Sequence, residues 1–316
     1  MERQQNIGRI REDRRGRLKR YRFPLAMMTP FFICVTIFVI IPIVTMIAMS
    51  FTSMDTKLSW EFIGFANYKK IFGYPKLKDI IIKTFIFVIS DVTFSVIGSI
   101  FVCIVTTYYL DIVYQRKNYG LFFRILWLIP SLTPQIVYML IWKMFFAAEG
   151  YGMFNNMLAA LGLTPIDWFT DFSFQLLVFV NCLKSASGSI ILFSSAIQQV
   201  PQSIVHSARV DGAKNLRICM KVVLPYLKWP ITQKTLWSIL GNFTAYECIR
   251  LFTSGGPMGS TTTYAYYIYQ NAYQYYRYGY GAALSVFLVA VSVSIGMIML
   301  RVFKVDKQLR PAKMDI

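Results

Sequence analysis

Residues 24–54 read PLAMMTPFFICVTIFVIIPIVTMIAMSFTSM, a run without one charged side chain. A cleavable signal peptide has an apolar core of only about 7–15 residues, whereas crossing a bilayer takes roughly 20. The run therefore predicts a transmembrane helix near 27–51. Nine basic and three acidic groups precede it in residues 1–23, which predicts an N-terminus held on the cytoplasmic side.

Five more apolar stretches follow, near 84–109, 125–146, 173–195, 232–252 and 281–301. Many of their residues are β-branched or aromatic, yet in lipid a helix satisfies its own backbone while an open strand cannot. A membrane barrel would show short alternating segments, and these runs are apolar on all sides. The expected fold is all-α, a polytopic membrane protein of six transmembrane helices with both termini cytoplasmic. It divides into a basic arm (1–23), a membrane domain (24–303) and a basic tail (304–316).

The charge distribution supports that topology. The four segments expected inside, 1–23, 110–124, 196–231 and 301–316, carry 22 of the 33 basic residues but 7 of the 15 acidic ones. This is the bias the positive-inside rule describes, and it accounts for most of the net charge of +18. A nucleic-acid partner loses its motivation. Over 316 residues, 56% hydrophobic and 15% charged with mean hydropathy +0.48, the chain also excludes an ordinary soluble enzyme and a disordered protein.

No G-x-x-x-x-G-K-[ST], G-x-S-x-G or HExxH occurs in the chain. ATP-driven work would need another subunit to hydrolyse the ATP. Cys34, Cys103, Cys182, Cys219 and Cys248 are scattered without a C-x-x-C pair, and His206 is the single histidine. The cysteines read as small apolar residues in helices, and a multi-His metal centre within the chain is excluded.

The loop at 198–230 reads QQVPQSIVHSARVDGAKNLRICMKVVLPYLKWP. Pro201 suits a first helical turn and Gly212 a helix stop. A second helix is expected near Ala213, with Leu216, Cys219, Met220 and Val223 as one apolar stripe and Lys214, Arg217 and Lys221 on another face. Two short amphipathic helices at an angle make a knob, suited to a groove in a partner protein or to rest on anionic lipid. Farther on, Gly255, Gly256 and Pro257 let the chain turn back abruptly, at the outer face by this topology.

The loop resembles the E-A-A-x-x-x-G-x9-I-x-L-P element of permease subunits of binding-protein-dependent ABC importers. His206, Ser207, Ala208, Asp211, Gly212, Leu224 and Pro225 stand at the motif's spacing. The motif's leading glutamate is His206 here, so an ion pair with the ATPase at this position is in doubt. Residues 252–270 (FTSGGPMGSTTTYAYYIYQ), 62–72 (FIGFANYKKIF) and 141–158 (IWKMFFAAEGYGMFNNML) are similar to the carbohydrate-type, maltose-like branch. The likeness runs from about Ala26 to Phe303. It implies the type I importer permease fold and a place in a bacterial cytoplasmic membrane. It further implies a second homologous permease, two ATPase subunits that bind ATP and Mg (this chain binding no cofactor), an extracellular solute-binding protein and a sugar substrate. The 198–230 loop would couple the ATPase to the membrane helices.

Polar groups inside the spans are costly and mark interiors or pathways. Asn181, Ser185 and Gly188 share one face of the fourth span, and Ser238, Asn242 and Tyr246 recur along the fifth. Amides and hydroxyls suit a neutral polyol, so Asn181, Ser185, Ser238, Asn242 and Tyr246 are candidate pathway residues. The competing reading is interhelical hydrogen bonding, with Gly188 allowing close packing. Among charges at membrane depth, Glu247 and Arg250 predict a local ion pair, and Lys234 snorkels. Asp91 and Lys184 would pair with each other or with the second permease. The nine tyrosines of 264–280 are expected chiefly as an interfacial belt. Another cargo (a glycerol-phosphate ester, a peptide or a polyamine) or an ion-coupled transporter remain the alternatives.

Overall fold

The computed structural model describes residues 24–303 apart from Leu25, Leu58 and Glu149. The basic arm and tail expected at 1–23 and 304–316 lie outside the described residues. Within them the chain is helical, with one isolated antiparallel bridge between Thr52 and Phe62. Helix α1 (Ala26–Met49) has no buried residue in its apolar window, and its C-terminal part, Ile41–Met49, touches the helix at Tyr278–Val302. Its Phe31, Phe38 and Ile41 are bare, a surface that lipid accepts and water does not.

After the short α2 (Ala66–Phe72), α3 (Leu77–Val113) runs 37 residues, about 55 Å at 1.5 Å per residue. That exceeds the roughly 30 Å hydrocarbon thickness. Its π-wound end, Ile104–Val113, carries Tyr108, which reaches the 198–230 loop. Buried Ser95, Ser99 and Cys103 recur at helical spacing along α3 and let α7 (Ser173–Gln198) approach closely. Ser99 Oγ donates to the Ala186 carbonyl at 2.9 Å, and Cys103 Sγ to that of Ile190 at 3.4 Å.

The stretch expected as one span at 125–146 is instead two helices, α4 (Lys117–Leu132) and α5 (Gln135–Phe145), bent by 101°. Pro130 removes a donor inside α4, and Pro134 drives Thr133 to an extended conformation. Helix α7 supplies what the break exposes. Ser187 Oγ accepts from Ser131 N–H at 3.1 Å and donates to the Trp127 carbonyl, the two groups an unbroken helix would pair with each other. Lys184 Nζ donates to the Thr133 carbonyl at 2.9 Å and lies 5.1 Å from the centre of the Tyr138 ring. Lys184 thus closes a helix C-terminus, where a cation is favoured, rather than pairing with Asp91.

Beyond α6 (Met153–Ala160) and α7, the chain forms α8 (Gln202–Val210) and α9 (Asn215–Ile218). It continues through the π-wound Cys219–Val223 and Leu224–Tyr226 into α10 (Lys228–Thr244). The fifth expected span, 232–252, is also interrupted: α10 stops where Ala245 turns extended, and α11 (Glu247–Phe252) resumes. Helices α12 (Tyr264–Tyr269) and α13 (Tyr278–Val302) complete the order. Among the described residues, four helices are long and apolar enough to cross a membrane, five if the bent α4–α5 pair is one span. Gly188 is exposed, and a Cβ there would meet open space, so it marks no close approach.

The Ser187 insertion has a measurable consequence. Pro130 and Pro134 fix the bend itself, so Ser187→Ala should loosen the contact of α4 with α7 without straightening the pair. The distance distribution between spin labels at exposed Leu126 and Leu140 should broaden about its native value, whereas Ser187→Thr should keep the native distribution. The accompanying stability change is expected near the 0.6–1.7 kcal/mol of interhelical hydrogen bonds in membranes, to order of magnitude (about).

Candidate functional site

The loop forms the expected knob. Helix α8 ends at Asp211, Gly212 takes φ +75°, and the Ala213 N–H bonds the Ala208 carbonyl at 3.0 Å. This is the six-to-one bond of a left-handed helix cap, which favours glycine. The knob is anchored from below: Tyr108 donates its hydroxyl to the Asn215 carbonyl at 2.9 Å. Val205, Ile218, Cys219, Val223 and Leu227 join one core with Cys103, Ile190, Phe193 and Ile197 of α3 and α7.

The apolar stripe differs from the expected one. Cys219 and Val223 are buried, but Leu216 and Met220 are 66% and 58% exposed, while Ile218 is 1% exposed. The i→i+5 bonding of the π-wound turn lines up Ile218 with Val223, which a uniform helical period does not. Val210, Leu216 and Met220 therefore present apolar surface outward, with Lys214, Arg217 and Lys221 exposed beside them. Of the motif residues, His206, Ser207, Asp211, Gly212 and Pro225 are exposed, and Ala208 and Leu224 pack on the core.

The glycine turn sits at the other end of α7. Ser260 Oγ lies 3.0 Å from Ser173 Oγ at the start of that helix, and Lys83 donates to the Gly259 carbonyl at 3.1 Å. The 26 residues of α7 separate knob and turn by about 39 Å. Gly255 adopts φ +81°, and a Cβ there would fall 2.6 Å from Tyr266 Cε1. Thr261 and Thr262 hydroxyls donate to the Gly256 and Gly255 carbonyls at 3.1 and 3.3 Å, and Pro257 is exposed. Tyr264, Tyr266, Tyr267 and Tyr280 are buried in the adjoining cores. They are packing residues, unlike exposed Tyr273, Tyr275 and Tyr276, because α12 folds back among the spans instead of lying along the surface.

Three of the polar candidates meet near the middle of the spans. Asn181 Nδ2 donates to Asp91 Oδ1 at 2.8 Å, and Asn242 Nδ2 to Asp91 Oδ2 at 2.6 Å. The two amides also touch, at 3.2 Å, and Asn242 donates to the Ser238 carbonyl at 2.9 Å. Ser185 accepts from Lys234 Nζ, at 3.3 Å on its carbonyl and 3.4 Å on its hydroxyl. Tyr246 stands apart, stacked on Tyr269 at 5.1 Å. Arg250 lies over that same Tyr269 ring, and the ion pairs among the described residues are Lys83–Asp79 and Arg124–Asp111. No group of three or more His, Cys, Asp or Glu side chains gathers among the described residues. Sequence reasoning did not place Ser187 or the break near it; Pro130 and Pro134 were the signal for the break.

No family model matches the chain. It is 28% identical over 249 residues to the sulfoquinovosyl glycerol transport system permease SmoG of Agrobacterium fabrum, covering 78% of each chain. Identity is 27% to the sn-glycerol-3-phosphate transport system permease UgpA of Pectobacterium atrosepticum, over 79% of this chain and 83% of that one. To the lactose transport system permease LacF of Rhizobium radiobacter it is 25%, over 81% and 85%. The resemblance to sugar-type ABC permeases is borne out. A chain of a bacterial ABC transporter that imports alginate superposes with TM-score 0.78 at 21% identity, over 94% of this chain and 98% of that one. The fold is that of an ABC importer permease.

Two substitutions check the local geometry. Gly255→Ala must hold a left-handed conformation against Tyr266 and should cost about 1–3 kcal/mol, read as a lowered melting temperature of the purified protein. Ile218→Ala should cost about 2–5 kcal/mol, whereas Leu216→Ala should leave the melting temperature unchanged.

Proposed function

We propose that this chain is one of two permease subunits of an ATP-driven importer for a carbohydrate delivered by an extracellular binding protein. The observation that carries this reading is the knob. It is a rigidly capped helical element rooted in the α3–α7 core, with Val210, Leu216 and Met220 facing outward. Such a face fits a groove in a partner protein, helix-in-groove fashion. Two ATPase subunits on the cytoplasmic side would dock there and bind the ATP and Mg. Both termini are then cytoplasmic, and six passages through a bacterial cytoplasmic membrane result when the bent α4–α5 pair and the broken α10–α11 pair each count as one. ATP and loaded binding protein would shift the population toward an outward-facing state, and hydrolysis would restore the inward-facing one.

The pathway would run past Asn181, Ser185, Ser238, Asn242 and Tyr246, with the turn at Gly255, Gly256 and Pro257 facing the binding protein. A second, non-identical permease would carry an acidic residue where this chain has His206. A glycerol-phosphate ester is the second reading, favoured by the likeness to a glycerol-3-phosphate permease. Against it, Lys184 and Lys234 already spend part of their donor capacity on Thr133 and Ser185.

The test is purification of the chain with its neighbouring subunits. Co-purification of an ATPase whose hydrolysis rises with a sugar-loaded binding protein is expected, and uptake by the lone chain in liposomes would overturn the reading. The paired change Leu216→Asp and Met220→Asp should abolish both co-purification and stimulation while the chain stays folded. Asn242→Ala should reduce uptake with the complex still assembled.

A further inference from the structure

Asp91 is fully buried on α3, and its hydrogen bonds decide what the neighbouring amides can offer. Each amide nitrogen has two hydrogens. Those of Asn181 go to Asp91 Oδ1 and Asn242 Oδ1, and those of Asn242 go to Asp91 Oδ2 and the Ser238 carbonyl. The donors of both amides are therefore engaged within the protein. Among the described residues nothing donates to Asn181 Oδ1, and Ser238 Oγ is buried without a partner. The Ser238 hydroxyl is enclosed by the protein, so the capacity left on the two amides is the Asn181 carbonyl oxygen, an acceptor.

We propose that Asp91 is a positioning residue that holds the amides of Asn181 and Asn242 with their N–H2 groups turned inward, so that the cluster presents acceptors and selects a hydroxyl-rich neutral solute over an anionic one. The proposal rests on the reading of Asn181 and Asn242 as pathway residues. Its chemistry is simple: a carboxylate only accepts, so both neighbours must aim nitrogen at it. A sugar hydroxyl can donate to the oxygen left without a donor, Asn181 Oδ1. A phosphate, sulfonate or carboxylate needs donors, and the two amides have theirs engaged within the protein. Lys234 is the nearby cation, and it is held at Ser185. In Asp91→Asn the new amide cannot accept on both sides, so one neighbour must turn its N–H2 outward and the cluster gains a donor.

The experiment is equilibrium dialysis of labelled probes against the purified complex. The neutral probes are maltose, lactose and trehalose; the anionic ones are glucuronate and glycerol 3-phosphate. Wild type is expected to bind at least one neutral probe about tenfold more tightly than either anion. Asp91→Asn should lose about tenfold for that sugar while gaining for the anions, and Asp91→Glu, which still accepts on both oxygens, should keep the wild-type ratio. A merely structural role would weaken all probes together and leave the ratio unchanged, which overturns the proposal. Wild type that binds an anion at least as tightly as every neutral probe overturns it too, and that arm needs no variant to fold. Failure of the importer reading shows separately, as wild-type ATP hydrolysis that no loaded binding protein stimulates.

Discussion

A carboxyl group can sit at full burial inside a membrane helix only if other helices bring donors to it. Asp91 meets that condition through one amide from α7 and one from α10. Burying a charge unpaired is far costlier than any single neutral contact between helices. The hydroxyl and thiol bonds to carbonyls that also join α3 and α7 each contribute on the order of 1 kcal/mol or less. The Asp91 cluster therefore sets the mutual placement of α3, α7 and α10, and the weaker contacts refine it.

The same scarcity of partners explains the broken helices. Lipid offers a backbone no hydrogen bonds, so a break is tolerated only where protein groups take over. Along α7, the Val180 carbonyl receives the Tyr138 hydroxyl, Lys184 holds the Thr133 carbonyl, and Ser187 bridges Ser131 and Trp127. One straight helix thus supports a bent pair on one face and joins the Asp91 cluster through Asn181. It also carries the knob at one end and the glycine turn at the other. A helix so connected is a physical link between the two faces of the molecule. A partner seated on the knob would act on the same element that borders the polar centre.

Much of this was legible in the amino-acid order. A long uncharged run, the basic bias of alternate loops and the spacing around Gly212 sufficed for an all-α membrane fold with a capped knob, because hydropathy and backbone chirality act locally. The breaks at Thr133 and Ala245 were less legible. Pro130 and Pro134 signalled the first, yet composition alone reads 125–146 as continuous. The dense tyrosines of 264–280 likewise resemble an interfacial belt until α12 is seen folded inward, with Tyr266 and Tyr267 in two different cores.

The sequence by itself determined that these helices lie in a membrane, that both ends of the chain are basic and where the knob turns, since each depends on neighbours along the chain. Only the tertiary structure decided that Lys184 closes a helix end instead of meeting Asp91. It also decided that Leu216 and Met220 face outward, and that Asp91 takes the donors of Asn181 and Asn242. These outcomes depend on which groups meet across helices separated by up to 151 positions in the chain. Hydrogen-bond partners are chosen by that meeting, and no local period encodes it.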